Sequence, residues 1–270
     1  MSCGVEKGFV LSALKERSRV DGRRLGDYRT PAISLHRKDG QSTAEVTLGD
    51  TTRCVAIVTS DVVPPFPDRP TEGFLMFSAA FSPMSSEAAS TSRVSPASAE
   101  LVRIIERQLR DSRAIDTEAL CIVAGERVWS IRCDIHVLDD RGNATDAAAL
   151  AAIAALMHFR RADVSISGET VTVHSFEDRA PVPLSIHHTP VCVTFGIFHE
   201  GEVTVVDPTD REELVMDGRI VYSMNAHDEL CAVHKLGGTP IAAEQVVNCA
   251  RLASAKAKEL TRVLTEALAE

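Results

Sequence analysis

At 270 residues, with 44% hydrophobic and 25% charged positions, the chain has the usage of an ordinary globular protein and enough apolar material for a sizeable core. That length allows one large domain or two fused half-domains, and excludes a small disulfide scaffold or a long multidomain array. A net charge of −9 argues against coating nucleic acid over the whole surface, so any such contact must come from a local basic patch or a partner chain.

The N-terminal stretch MSCGVEKGFVLSALKERSR breaks its apolar residues with Glu6, Lys7, Lys15 and Glu16, which predicts an amphipathic helix. No window approaches the roughly 20 consecutive apolar residues that span a bilayer, so the expectation is a soluble chain, neither secreted nor membrane-bound. β-Branched runs over Ala32 to Leu35, Thr43 to Leu48 and Thr52 to Ser60, separated by Lys38-Asp39-Gly40 and Gly49-Asp50, predict adjacent hairpin strands. After VVPPFPDRP comes a further strand from Gly73 to Phe81, then a Ser/Ala-rich loop through Ser98.

From Ala99 to Asp111 the pattern is helical. Leu101, Val102, Ile105 and Leu109 form a core-facing stripe, while Arg103, Arg107 and Arg110 recur at i, i+4 and i+7 on the other side. That row is either a solvated face or a phosphate-tracking stripe, since guanidinium forks pair with phosphate in a bidentate way; Glu100 and Glu106 dilute it.

Strands over Ala119 to Ala124 and Arg127 to Leu138 lead through Asp139-Asp140-Arg141-Gly142-Asn143-Ala144-Thr145-Asp146 into an Ala-rich helix from Thr145 to Phe159, apolar enough to be buried. A helix N-terminus leaves backbone N–H groups unpaired and favours anions, so such a turn can cradle phosphate. Here Asn143 and Thr145 are cap-forming residues and Asp146 satisfies the helix end itself, which favours capping over anion binding.

The second part repeats the plan. Strands near Val164 to Ile166, Thr170 to His174, Pro190 to His199, Glu202 to Asp207, Arg219 to Asn225 and Glu229 to Lys235 precede a long helix from Ile241 to about Ala269. Strands followed by a helix, twice over, suggest an α+β fold: one domain over 1–270 with pseudo-equivalent halves of about 1–160 and 161–270.

Seven widely spaced cysteines without a Cys-x-x-Cys predict buried thiols in a reducing compartment. His187-His188 is the one adjacent pair among the histidines, and neighbours in a strand point to opposite faces, so no metal site is expected. Glu177-Asp178 reads as a solvated acidic dipeptide. No Walker A loop, G-x-G-x-x-G, G-x-S-x-G or H-E-x-x-H is present, and no cofactor is implied.

Arg19-Val20-Asp21-Gly22-Arg23, GDTTRCVAIVTS, the block from Glu106 to Leu156, APVPLSIHHTPVCVTF and DPTDREELVMDG together resemble the RNase PH family. They are more similar to the exosome ring subunits within it, of the polymyositis/scleroderma autoantigen type, over about Glu6 to Glu270. The resemblance implies an RNase PH-like fold, related to ribosomal protein S5 domain 2, in two β-α halves about a pseudo-twofold axis. It implies assembly as heterodimers into a six-membered ring with a central RNA channel and RNA-binding cap subunits.

Active members of the family shorten single-stranded RNA from its 3′ end with inorganic phosphate. They hold that phosphate with a Gly-[Ser/Thr]-Arg-type turn, supported by a second-half Asp. This chain departs at both places: the turn at Asn143, Thr145 and Asp146 carries a carboxylate instead of an Arg, and Ala180-Pro181 stand where the supporting acid belongs. The resemblance thus implies a subunit without catalysis of its own, supporting rRNA maturation and RNA turnover in nucleus, nucleolus and cytoplasm, with Arg103, Arg107 and Arg110 as RNA contacts. The alternatives are an active phosphate-dependent exoribonuclease, a small-molecule kinase on a related fold, and a scaffold whose arginines only stabilise a ring interface.

Overall fold

Alternating burial along the first strands shows how the alternating sequence becomes a sheet with one face inward. The structure is a computed structural model and describes residues 4–38, 40–85, 95–167 and 170–269. Helix α1 (Gly4–Lys15) buries Val10 and Leu14 and is followed by β1 (Pro31–Lys38), β2 (Gln41–Leu48), β3 (Thr52–Val63) and β4 (Phe74–Phe81). Next come α2 (Pro96–Glu106), β5 (Cys121–Val123), β6 (Arg127–Asp139) and α3 (Ala144–His158).

The remainder comprises β7 (Arg160–Arg161), β8 (Val164–Ser167), β9 (Thr170–Val173), β10 (Val182–Pro183), β11 (Val191–Phe198), β12 (Val203–Val206), α4 (Asp210–Glu213), β13 (Gly218–Met224), β14 (Leu230–Leu236) and α5 (Ala243–Ala269). Asp39 of the first expected turn, residues 86–94 of the Ser/Ala-rich loop and Cys3 lie outside the described residues.

The first sheet runs β1-β2-β3-β6-β4, with β5 beside β6; β4 alone pairs in parallel. The second is antiparallel, in the order β12-β11-β13-β14. Inward rows Ala44, Val46 and Leu48 on β2 and Cys54, Ala56 and Val58 on β3 lie under α3, whose other side meets β11. All eight residues of β11 are buried. Held between two sheets, α3 has no solvent face: Ala144 to Leu156 are buried, and the many alanines let the layers approach closely. Helix α2 packs on β4, while α5 crosses β1, β11 and β13. The mixed strand and helix content is the expected α+β arrangement.

Two local expectations are corrected. Helix α2 starts at Pro96, because Ser95 and Ser98 form a reciprocal capping box and proline is well placed in a first turn. It also does not continue regularly to Asp111: Arg107–Asp111 form a π-helical turn. In that turn Gln108 is fully buried: its Nε2 donates to Pro190 O (2.6 Å) and its Oε1 accepts from Cys192 Sγ (3.1 Å). Of the thiols, Cys54, Cys133, Cys192 and Cys249 are buried, whereas Cys121 and Cys231 are half-exposed.

Candidate functional site: a carboxylate-filled turn and an arginine row

The turn between β6 and α3 is built by close backbone contact. Gly142 has φ +94°, and a Cβ there would sit 2.4 Å from Asp210 N and Thr209 C, so this position requires glycine. Its carbonyl accepts from Thr52 Oγ1 and Arg29 Nη2, each at 2.8 Å. Asn143 follows at φ +59°, in the left-handed region that Asn tolerates.

The expectation that Asn143 and Thr145 cap the helix and that Asp146 satisfies its end is corrected here, since Asn143, at the N-cap position, makes no side-chain cap hydrogen bond. Asn143 Nδ2 donates sideways, to Asp146 Oδ2 (2.8 Å) and Asp207 Oδ1 (2.7 Å). Its backbone N–H donates to Glu213 Oε1 at 2.8 Å, so the carboxylate at the helix entrance comes from α4, 70 residues along the chain. Asp146 accepts from Thr194 N–H (2.9 Å), Thr194 Oγ1 (2.6 Å) and Tyr28 OH (3.1 Å), tying α3 to β11. Thr145 is buried at the same turn.

Asp207 completes the cluster. It accepts from Arg29 Nε (2.8 Å) and Nη2 (2.7 Å), from Arg29 N–H (3.0 Å) and from Arg23 Nη1 (2.6 Å). Arg19, buried, makes a forked pair with Glu212 (2.9 and 2.7 Å) and donates to Val206 O and Asp207 O. The Arg19-x-Asp21-Gly22-Arg23 element of the sequence therefore clamps the segment carrying Asp207, Glu212 and Glu213.

Burial governs the protonation of these groups. It pushes Asp146 up to about 6, against the hydrogen bonds from Thr194 and Asn143, and Glu213 up to about 7, against the Asn143 N–H. Burial would raise Asp207 too, but the Arg29 hydrogen bonds and charge outweigh it and hold that carboxyl below its usual range. An incoming phosphate would meet Asp146, Asp207 and Glu213, while Arg23 and Arg29 are already committed to Asp207. Ala180 is exposed and Pro181 half-buried, in the segment leading to β10. Among the described residues, no group of three or more His, Cys, Asp or Glu side chains is placed to share a metal ion.

The arginine row lies elsewhere. Leu101, Ile105 and Leu109 are buried and Val102 packs beside them, leaving Arg103, Arg107 and Arg110 exposed. Arg110 pairs with Glu106 (3.0 Å) and Asp111 (3.5 Å), exposed contacts of little energetic weight. Arg107 reaches His234 Nδ1 at 3.5 Å, at the limit of a hydrogen bond. The row and the turn are thus separate features, and the partners of the turn, namely Tyr28, Arg29, Thr194, Asp207 and Glu213, were not singled out by sequence reasoning. One local signal was available: Thr209-x-x-Glu212 has capping-box spacing, and the box forms.

Comparison with known proteins places this geometry among relatives. The pattern of the 3′ exoribonuclease family, domain 1, matches residues 28–162, and that of domain 2 matches residues 188–256. Exosome complex component RRP45 is 48% identical in Danio rerio and 46% in Homo sapiens, each over 263 residues and 97% of this chain. The chain spans 66% and 59% of the length of those two relatives. The Schizosaccharomyces pombe protein of that name is 40% identical, covering 98% of this chain and 90% of its own. A chain of the Archaeoglobus fulgidus exosome with RNA bound to the active site superposes with TM-score 0.82 at 31% identity, covering 96% of this chain and 97% of that one. Rice Rrp46, at 17% identity and TM-score 0.65, shares the fold.

Proposed function

We propose, from the premise that this chain belongs to the 3′ exoribonuclease (RNase PH) family and within it is similar throughout to exosome component RRP45, that it is a non-catalytic subunit of an exosome core ring. In that role it builds the ring with other RNase PH-like subunits, supports RNA-binding cap subunits and lines the channel for single-stranded RNA on its way to 3′ to 5′ processing and degradation. Its place of work is the nucleus and nucleolus, and also the cytoplasm.

One observation carries the non-catalytic reading: the entrance of α3 is filled by the chain's own carboxylate, Glu213, flanked by Asp146 and Asp207. A phosphorolytic site needs donors left open for the attacking phosphate, and losing them removes an electrostatic contribution of about 3–4 kcal/mol per donor. The pure chain incubated with single-stranded RNA and inorganic phosphate is expected to release no nucleoside diphosphates. Phosphate-dependent shortening by the pure chain, abolished by changing Asn143 or Asp146, would overturn this reading.

The RNA contact is assigned to Arg103, Arg107 and Arg110, which face solvent on one side of α2 and its π-helical turn. Backbone contacts carry affinity without base identity. Replacing Arg107 and Arg110 by Glu in an assembled ring is expected to weaken RNA binding most at low salt while the ring stays intact. A ring that falls apart with RNA binding otherwise unchanged would make the row an interface device.

A further inference from the structure

At the C-terminal end of α3 the chemistry is opposite to that at its entrance. Arg160 Nη1 donates to Met157 O and Phe159 O, each at 2.8 Å, closing the last carbonyls of the helix. On β1, Ile33 and Leu35 pack against the core, and Arg37 is the next residue of the same inward row. Arg37 stands opposite Ser42 in the β1–β2 register, so the two side chains share a face, their Cβ atoms about 5 Å apart. Ser42 Oγ in turn lies 3.1 Å from His158 Nδ1. His36 and Lys38, exposed, flank Arg37 on the other face of β1.

Several other arginines of this chain face carboxylates: Arg19 with Glu212, Arg23 and Arg29 with Asp207, Arg53 with Glu45, Arg179 with Asp163 and Arg219 with Glu100. Among the described residues no carboxylate lies within ion-pair distance of Arg37, Lys38, His158 or Arg160. Burial, then Arg37, Arg160 and His36, hold the His158 imidazole below its usual range, and burial and Arg37 do the same to Arg160. Arg37, His158 and Arg160 thus lie near one another with no carboxylate among the described residues to pair with them.

We propose that Arg37, His158 and Arg160 form a second RNA contact, a phosphodiester-binding site at the C-terminal end of α3. With Ser42 Oγ–H donating to Nδ1, neutral His158 carries its proton on Nε2, where it serves as a donor beside two guanidiniums. Guanidinium forks match phosphate oxygens in a bidentate way, and a strand supplies one charge at every nucleotide where a single carboxylate supplies one in all. The site is remote in sequence from the Arg103 to Arg110 row, and it rests on the proposed role only in taking RNA as the polyanion.

The test compares the full chain, alone and assembled with its partner subunits, with an Arg37→Gln variant and an Arg103→Gln/Arg107→Gln variant. Arg37, Arg103 and Arg107 are exposed, and thermal melts establish that the variants are folded. Probes are two single-stranded RNAs of unrelated sequence, and inorganic phosphate. The first variant is expected to bind both RNAs severalfold more weakly at low salt, with a log-affinity against log-salt slope flatter by about 0.7 for each phosphate lost. The His158 imidazole signal should titrate at higher pH once RNA is bound.

Unchanged RNA affinity in that variant overturns the site, and does so whether or not the Arg103/Arg107 variant is impaired; impairment of the latter alone leaves the proposed role standing. Inorganic phosphate binding as tightly as the strands would overturn the strand reading in favour of a free-phosphate site. Lost ring assembly with RNA binding intact would overturn it in favour of an acidic protein surface.

Discussion

The two ends of α3 are charged in the sense its macrodipole favours, carboxylates at the entrance and cations at the exit, yet they are handled differently. At the entrance, each of Asp146, Asp207 and Glu213 has donors from distant strands and loops, and Arg19, Arg23 and Arg29 brace the segment that delivers two of them. At the exit, only Nη1 of Arg160 is held by carbonyls, and the cations around it have no acid among the described residues. A saturated end is a structural joint; an unsaturated one retains binding capacity.

The strongest way to break that contrast is Asp207→Ala. Arg23 and Arg29 would lose their shared counter-charge in a buried setting, a loss of about 3–5 kcal/mol. Denaturant melts should show a large fall in midpoint or failure to fold; a fall below about 1 kcal/mol would show that the entrance is not a joint. Gly142→Ala comes next. Its Cβ meets the Thr209–Asp210 backbone rather than a flexible side chain, so a cost of about 2–3 kcal/mol is expected in the same measurement.

Glu213→Gln sharpens the comparison in the opposite direction. Glu213 holds its proton up to about 7 in the folded chain against an ordinary 4.5, so folded molecules bind a proton that unfolded ones have released between those values. Its contribution to stability is fully present below about 4.5 and is lost as pH rises through about 7. Asp146 behaves alike between 3.8 and about 6. A glutamine keeps the acceptor for Asn143 N–H and removes the charge. Thermal melts should show Glu213→Gln more stable than the parent at about pH 8, by about 2–4 °C per kcal/mol recovered, with the difference vanishing toward about pH 5. The smallest effect belongs to the exit. Ser42→Ala removes one hydrogen bond to a half-buried imidazole, worth about 0.5–1.5 kcal/mol, which urea titration can resolve.

Periodicity carried most of the fold. The alternation in Thr43 to Leu48 and the unbroken apolar run of α3 announce a one-sided sheet and a helix buried on every side, because those patterns are local and repeat. The π-helical turn was invisible for the same reason: Arg107 to Asp111 continues a helical pattern, and only Pro190 and Cys192, far along the chain, draw Gln108 inward. The entrance of α3 was half legible. Asp146 read correctly as an acid beside the helix start, but its partners Thr194 and Tyr28, and the role of Glu213, depend on residues 48 to 118 positions away. No spacing rule reaches that far.

The clamp between the N-terminal arginines and the Asp207 to Glu213 segment also sets an order of events during synthesis. Arg19 finds Glu212 193 residues later, and Arg29 finds Asp207 178 residues later. At translation rates of about 5–20 residues per second, these arginines wait roughly 10–40 s for their acids to be made. Throughout that interval the first sheet can pair its strands while the lip of α3 stands open, so the joint that closes the molecule is set only after Glu212 has been made.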